Sequence, residues 1–299
     1  MAEAVKPVSP MAVGSLKVAI VHDWLIGGGA ERVVEQLHQL YPAAPIYTAC
    51  ATAKWKQRLD NQVITSYMQY GPLFKLRKYL PLLRQLWFSR LDLSAFDLVI
   101  SSSGAEAKGV RVPAGTVHIN YCHAPTHYYW GRFDQYLENP GFRYFNWLAR
   151  LGLKLLVGPL RRWDKKAAQR PDYIVANSSY TQSQIKKYYG RESEVVHPPV
   201  NVEKFAGQSQ AGTRAGLVIA GRQTPYKRTD LAVAACTQLG LPLRVIGNGP
   251  DHHRLVKMAG PTITFLTKTG NAQLVEHFKT ATGFIFPSLD DFGIVAVEA

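Results

Sequence analysis

Short apolar runs alternate with longer amphipathic ones over almost the whole chain. Residues 17–22 (KVAIVH), 45–50, 97–102 (DLVISS), 116–122, 172–177 (DYIVAN) and 194–197 are nearly continuous in apolarity and rich in β-branched side chains. That pattern predicts strands covered on both faces of a parallel sheet. Helical periods fall between them, for instance over 30–40 and 180–189. Residues 198–216 (PPVNVEKFAGQSQAGTRAG) are rich in Pro, Gly, Ser and Gln and read as a linker. The alternation then restarts, with strands at 217–221, 243–247, 263–267 and 283–286. Helices are predicted over 230–239, 252–258 and 272–280, and another begins at the end of the chain.

Two successive βαβ arrays predict an α/β protein of two doubly wound, Rossmann-like domains facing a cleft, residues 16–200 and 201–299. The chain length of 299 residues agrees with that division. The second array is the shorter and reads as truncated. Residues 1–15 have no apolar segment behind a basic start and read as a disordered tail, not a signal peptide. No run reaches the ~18 apolar residues of a membrane-spanning helix.

Charge narrows the choice of partners. Residues 1–200 hold 25 Lys and Arg against 14 Asp and Glu, whereas the remainder hold 10 against 7. The first domain is therefore drawn to something anionic: nucleic acid, a phospholipid surface or a phosphorylated substrate. Cys50, Cys122 and Cys236 show no pair spacing and read as buried apolar residues in a reducing compartment.

Two strand–loop–helix junctions carry candidate chemistry. In VHDWLIGGGAER the glycines Gly27, Gly28 and Gly29 lie between the first strand and first helix, where backbone amides favour an anion. The dinucleotide fingerprint fails there, because Arg32 stands where its third glycine belongs. The strand around Tyr47 also lacks a terminal acid for a ribose. An NAD-dependent oxidoreductase is disfavoured; a plain turn and a loop contacting substrate phosphate or hydroxyls both remain open. In AGRQTPYKRTDLAV, Arg222 and Lys227 flank a turn at the carboxyl edge of the second sheet, where a diphosphate would bind. Solvated surface cations are the plain alternative.

GGGAER, YCHAP (121–125), HPPVNVEKF (197–205), GRQTPYKR (221–228), GNGP (247–250) and LDDFGIVAVEA (289–299) follow one another in this order. Together they resemble a retaining glycosyltransferase of family 4, whose GT-B fold pairs two Rossmann-like domains. Within that family the chain is most similar to bacterial mannosyltransferases that extend polysaccharide repeat units. The resemblance implies a nucleotide-sugar donor, GDP- or UDP-linked, with no metal and no other cofactor. It implies that Arg222 and Lys227 clamp the diphosphate, and that Gly247 and Gly249 lie near the base. Asp290 would contact sugar hydroxyls and Glu298 the ribose, with Phe292 and Gly293 in the same donor segment. The family has Glu where this chain has Asp290, one methylene shorter. His123 matches a histidine near the reacting sugar. The catalytic set so implied is His123, Arg222, Lys227 and Asp290.

Two stretches add a membrane expectation. Residues 71–91 carry five cations and no acid, with Leu73, Leu76, Leu80, Leu83 and Trp87 at helical spacing and Pro81 as a break. Residues 142–170 combine Phe142, Tyr144, Phe145 and Trp147 with eight cations and one acid. Such stretches suit an anionic membrane surface, at about 1 kcal/mol per cation; a leucine face turned to the core is the alternative. No nucleic-acid-binding module is present. The expected activity is transfer of a sugar, mannose from GDP-mannose, to a lipid-linked or polysaccharide acceptor, at the cytoplasmic face of the plasma membrane. The rival is a truncated, weakly active or inactive glycosyltransferase-like module bound peripherally to the membrane.

Overall fold

A computed structural model of the chain describes residues 16–138, 146–205 and 214–299. The expected N-terminal tail, the aromatics Phe142, Tyr144 and Phe145, and residues 206–213 of the linker lie outside the described residues. The chain divides into two compact units, Met1–Pro199 and Val200–Ala299.

The first unit is built on a seven-stranded parallel sheet: β1 (Val18–His22), β2 (Ile46–Thr48), β3 (Val63–Thr65), β4 (Leu98–Ser103), β5 (Val117–Cys122), β6 (Tyr173–Ala176) and β7 (Glu194–Val195). Their order is β3-β2-β1-β4-β5-β6-β7, so the winding reverses between β1 and β4. Successive residues of β1 feed opposite layers, as the two-residue period of a strand requires. Val18 and Ile20 pack with Leu25, Val34 and Ile46, while Ala19 and Val21 pack with Phe88, Leu93 and Val99.

The helices of this unit are α1 (Ala30–Leu40), α2 (Ala53–Arg58), α3 (Gly71–Leu76), α4 (Pro81–Phe88), α5 (Phe133–Glu138), α6 (Asn146–Ala167) and α7 (Ser179–Tyr189). Ser178 caps α7 by accepting the Thr181 N–H at 3.0 Å. The basic stretch 71–91 breaks before Pro81, which opens α4 at a position needing no N–H. Of the predicted stripe, Leu73, Leu80, Leu83 and Trp87 are half-buried and Leu76 is exposed, while the residues of α4 that are fully buried are Arg84, Gln85 and Phe88.

The second unit carries β8 (Leu217–Ala220), β9 (Leu243–Ile246), β10 (Ile263–Leu266) and β11 (Gly283–Phe284), all parallel, in the order β10-β9-β8-β11. Its helices are α8 (Thr229–Leu239), α9 (His252–Met258), α10 (Asn271–Lys279) and the short α11 (Ile294–Glu298). Ile219, Val233, Leu243, Val245 and Leu255 form its main core. No helix among the described residues is long and apolar enough to cross a membrane. The three cysteines are buried, and none is in a disulfide.

Candidate functional site

The candidate residues fall into two sets, one at the carboxyl edge of each sheet. In the first unit, Gly27, Gly28 and Gly29 lead into α1. Glu31, buried in the first turn, turns back and accepts the Gly27 N–H at 2.8 Å and the Ile26 N–H at 3.4 Å. The helix start thus carries a carboxylate of its own, the charge that a helix N-terminus favours. In this arrangement the Gly27 amide is already engaged by protein.

His123 follows β5. Its Nε2 lies 2.8 Å from the Ser102 hydroxyl, and its carbonyl accepts the Asn177 side-chain amide at 2.9 Å. Three consecutive serines at the end of β4 each hold one polar group from a neighbouring segment. Ser101 meets His118 at 2.8 Å, Ser102 meets His123, and Ser103 donates to Asp23. Asp23, just past β1, also accepts the N–H groups of Gly104 (2.8 Å), Ala105 (3.0 Å) and Ala107 (2.8 Å). A buried carboxylate thereby fixes the loop after β4.

Two ion pairs lie in the same region. Arg84 grips Glu106 through two bonds of 2.8 and 2.9 Å, with Tyr128 donating to the same carboxylate at 2.8 Å. Burial works against the Arg84 charge, but Glu106, Tyr128 and Asp23 together outweigh it and leave the guanidinium more basic than usual. Lys108 pairs with Asp164 of α6 at 2.6 Å. That carboxylate also accepts from Thr126 (2.8 Å), Trp130 (2.7 Å) and Tyr189 (2.8 Å). The segment running on from His123 is therefore pinned to α6 and α7 by charge-assisted bonds. Burial, with Asp164 adding to it, pushes the Tyr189 hydroxyl well above its ordinary range. Sequence reading passed over Asp23, Glu106, Lys108 and Asp164. Asp23, Glu106 and Lys108 are signalled by charges that interrupt apolar or small-residue segments, and Asp164 by being the one acid of the basic stretch 142–170.

In the second unit, Arg222 lies two residues beyond β8, exposed. Its carbonyl accepts the Thr224 N–H at 2.9 Å, and Thr224 in turn accepts the Lys227 N–H at 3.0 Å, which folds the two cations into one compact turn. The ammonium of Lys227 forms an ion pair with Asp290. Sequence reading selected both but did not pair them. The second oxygen of Asp290 is buried without a hydrogen-bond partner.

Gly247 and Gly249 face the same turn at close range. A Cβ on Gly247 would stand 2.2 Å from the Gly221 carbonyl oxygen, and one on Gly249 2.1 Å from that of Gln223. Only glycine admits this backbone approach. Gln223, 1% exposed, ties the loops together by donating to the Gly247 carbonyl at 2.7 Å and meeting His252 at 2.7 Å. Phe292 is half-buried, Gly293 caps α11, and Glu298 is buried at the end of that helix.

The sequence pattern of Glycosyltransferase Family 4 matches residues 27–204. A D-inositol 3-phosphate glycosyltransferase of Mycobacterium sp. (strain JLS) is 26% identical over 166 residues, which cover 47% of this chain and 38% of that protein. The chain thus spans well under half the length of this curated relative. Among solved structures, sucrose-phosphate synthase from Thermosynechococcus elongatus superposes with a TM-score of 0.58 at 15% identity, covering 94% of this chain and 78% of that one. A glycosyltransferase involved in avilamycin A biosynthesis gives a TM-score of 0.45 at 16% identity, covering 90% and 69%. Two Rossmann-like units of the GT-B kind are common ground with the sucrose-phosphate synthase structure.

Proposed function

Because this chain belongs to Glycosyltransferase Family 4, we propose that it moves a sugar, mannose from GDP-mannose, to a lipid-linked or polysaccharide acceptor with retention of anomeric configuration. The observation that carries this reading is the turn at the end of β8. There Arg222 and an ion-paired Lys227 sit beside glycine loops packed backbone to backbone.

The chemistry requires charge compensation on the leaving group. As the bond from the anomeric carbon to the diphosphate oxygen breaks, negative charge grows on the nucleoside diphosphate. Fixed cations lower the energy of that state without reorganising. Asp290 restrains Lys227 in place, while the exposed Arg222 guanidinium supplies a planar donor set that matches phosphate oxygens. The acceptor oxygen attacks on the face the phosphate leaves, and its proton passes to the departing phosphate oxygen. Donor binding falls to Arg222, Lys227, Gly247, Gly249, Asp290, Phe292, Gly293 and Glu298, and the acceptor to the first unit with His123 and the loop at Gly27–Gly29.

The positive surplus of the first 200 residues supports an anionic acceptor or surface. The relative's acceptor, an inositol phosphate by its name, is itself anionic. Exposed Trp147, Leu148, Leu151 and Leu155 on α6, among cations, support peripheral attachment to an anionic membrane from the cytoplasmic side.

The test is transfer. Full-length protein given radiolabelled GDP-mannose and lipid-linked saccharides should move label into the lipid phase and release GDP, unchanged by EDTA. Label left in the donor with GDP-mannose and with every UDP-sugar tried would overturn the reading.

A further inference from the structure

His22 ends β1, Ser102 is its register partner on β4, and the winding of the sheet reverses between those two strands. Ligands of open α/β sheets bind outside the carboxyl ends of strands at such a point. Two imidazoles hold Ser102 there. His22 Nδ1 lies 2.6 Å from the Ser102 carbonyl oxygen, and His123 Nε2 lies 2.8 Å from the Ser102 hydroxyl. The rings stand edge to face with centroids 6.1 Å apart.

A carbonyl oxygen only accepts, so His22 must carry its proton on Nδ1. In the neutral ring Nε2 is then a lone-pair acceptor. His22 is 3% exposed as a whole, and among the described residues no hydrogen bond is made to Nε2, which is not itself among the fully buried atoms. A polar atom left accessible and without a protein partner at a ligand-binding edge is one a ligand can satisfy.

We propose that His22 Nε2 accepts a hydrogen bond from a hydroxyl of the saccharide acceptor. This inference rests on the transferase reading above and adds a specificity-determining residue to it. His22 and His123 then flank one acceptor hydroxyl pattern, held in mutual register by Ser102. An acceptor lacking that hydroxyl leaves Nε2 unsatisfied and binds more weakly.

Two substitutions separate the inward and outward roles of the ring. His22→Asn places an amide near Nδ1, keeps the bond to the Ser102 carbonyl and removes the outward acceptor. His22→Gln places an amide oxygen near Nε2. With GDP-mannose as donor and octyl α-D-mannopyranoside as acceptor probe, His22→Asn should raise the acceptor KM roughly tenfold. Its kcat and its slow hydrolysis of donor by water should stay near wild type, and His22→Gln should recover much of the loss. An unchanged acceptor KM in a folded His22→Asn protein would overturn the proposal.

A second measurement does not depend on turnover. In long-range ¹H–¹⁵N spectra of histidine-labelled full-length protein, His22 should show a pyridine-type Nε2 that shifts on titration with octyl mannoside. A pyrrole-type Nε2, or one unmoved by the probe at saturation, contradicts the proposal. Failure of any nucleotide sugar to protect the protein against unfolding would instead strike the transferase reading, so the two failures are distinguishable.

Discussion

Lys227 and Asp290 are 63 residues apart in sequence and joined as an ion pair in space. Each was legible alone, the lysine from its place after a strand and the acid from a motif. The pairing was not, because nothing local links a turn after β8 to one after β11. Gly249 is similar: the motif marked it, but only the structure gives the 2.1 Å approach that excludes a side chain. Gly249→Ala should cost about 1–3 kcal/mol of stability, read as a lowered unfolding midpoint, and should weaken nucleotide-sugar binding. A midpoint equal to wild type would show that the loop relaxes freely. His118 offers a pH test. Burial is the main cause holding its imidazole down to about 4, Arg170 acting in the same direction and Asp172 against. An unfolded histidine titrates near 6.5, so between about 6.5 and 4 the unfolded chain binds a proton that the folded one refuses. Stability should therefore fall as pH drops through that window and be flat above it. His118→Gln should show a shallower acid slope, and equal slopes in melting curves would contradict the assignment.

At the scale of elements, the strands were the most legible part, because burial on both sheet faces writes an apolar run that no neighbour can disguise. The basic segment before and through α4 was the least legible. Its leucines have perfect helical spacing, but Arg84 takes the buried face by pairing with Glu106 on the loop after β4. A charge that brings its own counter-ion is invisible to hydrophobic periodicity. Arg84→Met should destabilise the protein by about 3–5 kcal/mol, since it strands the Glu106 carboxylate. The double variant Arg84→Met with Glu106→Leu should lose distinctly less. Additive losses in denaturant unfolding would show that the pair is not coupled.

For the whole molecule, the sequence showed two α/β units and a formal net charge of +14, with the excess in the first. Exposed apolar residues on α6 sit among that charge. Co-sedimentation of full-length protein with phosphatidylglycerol vesicles should be strong at low salt and weak at high salt. Leu151→Ser with Leu155→Ser should reduce it at both. Equal binding to neutral phosphatidylcholine would remove the electrostatic part of the membrane reading.

The central claim, that Arg222 and Lys227 grip the diphosphate of an activated sugar, is tested most directly by calorimetric titration of GDP-mannose, alongside UDP-sugars, into wild-type, Arg222→Ala and Lys227→Ala full-length proteins. Saturable binding to the wild type, lost or weakened at least tenfold in both variants with their folds intact, is the expected result. Undiminished affinity in the variants, or no binding of any nucleotide sugar to the wild type, would contradict it.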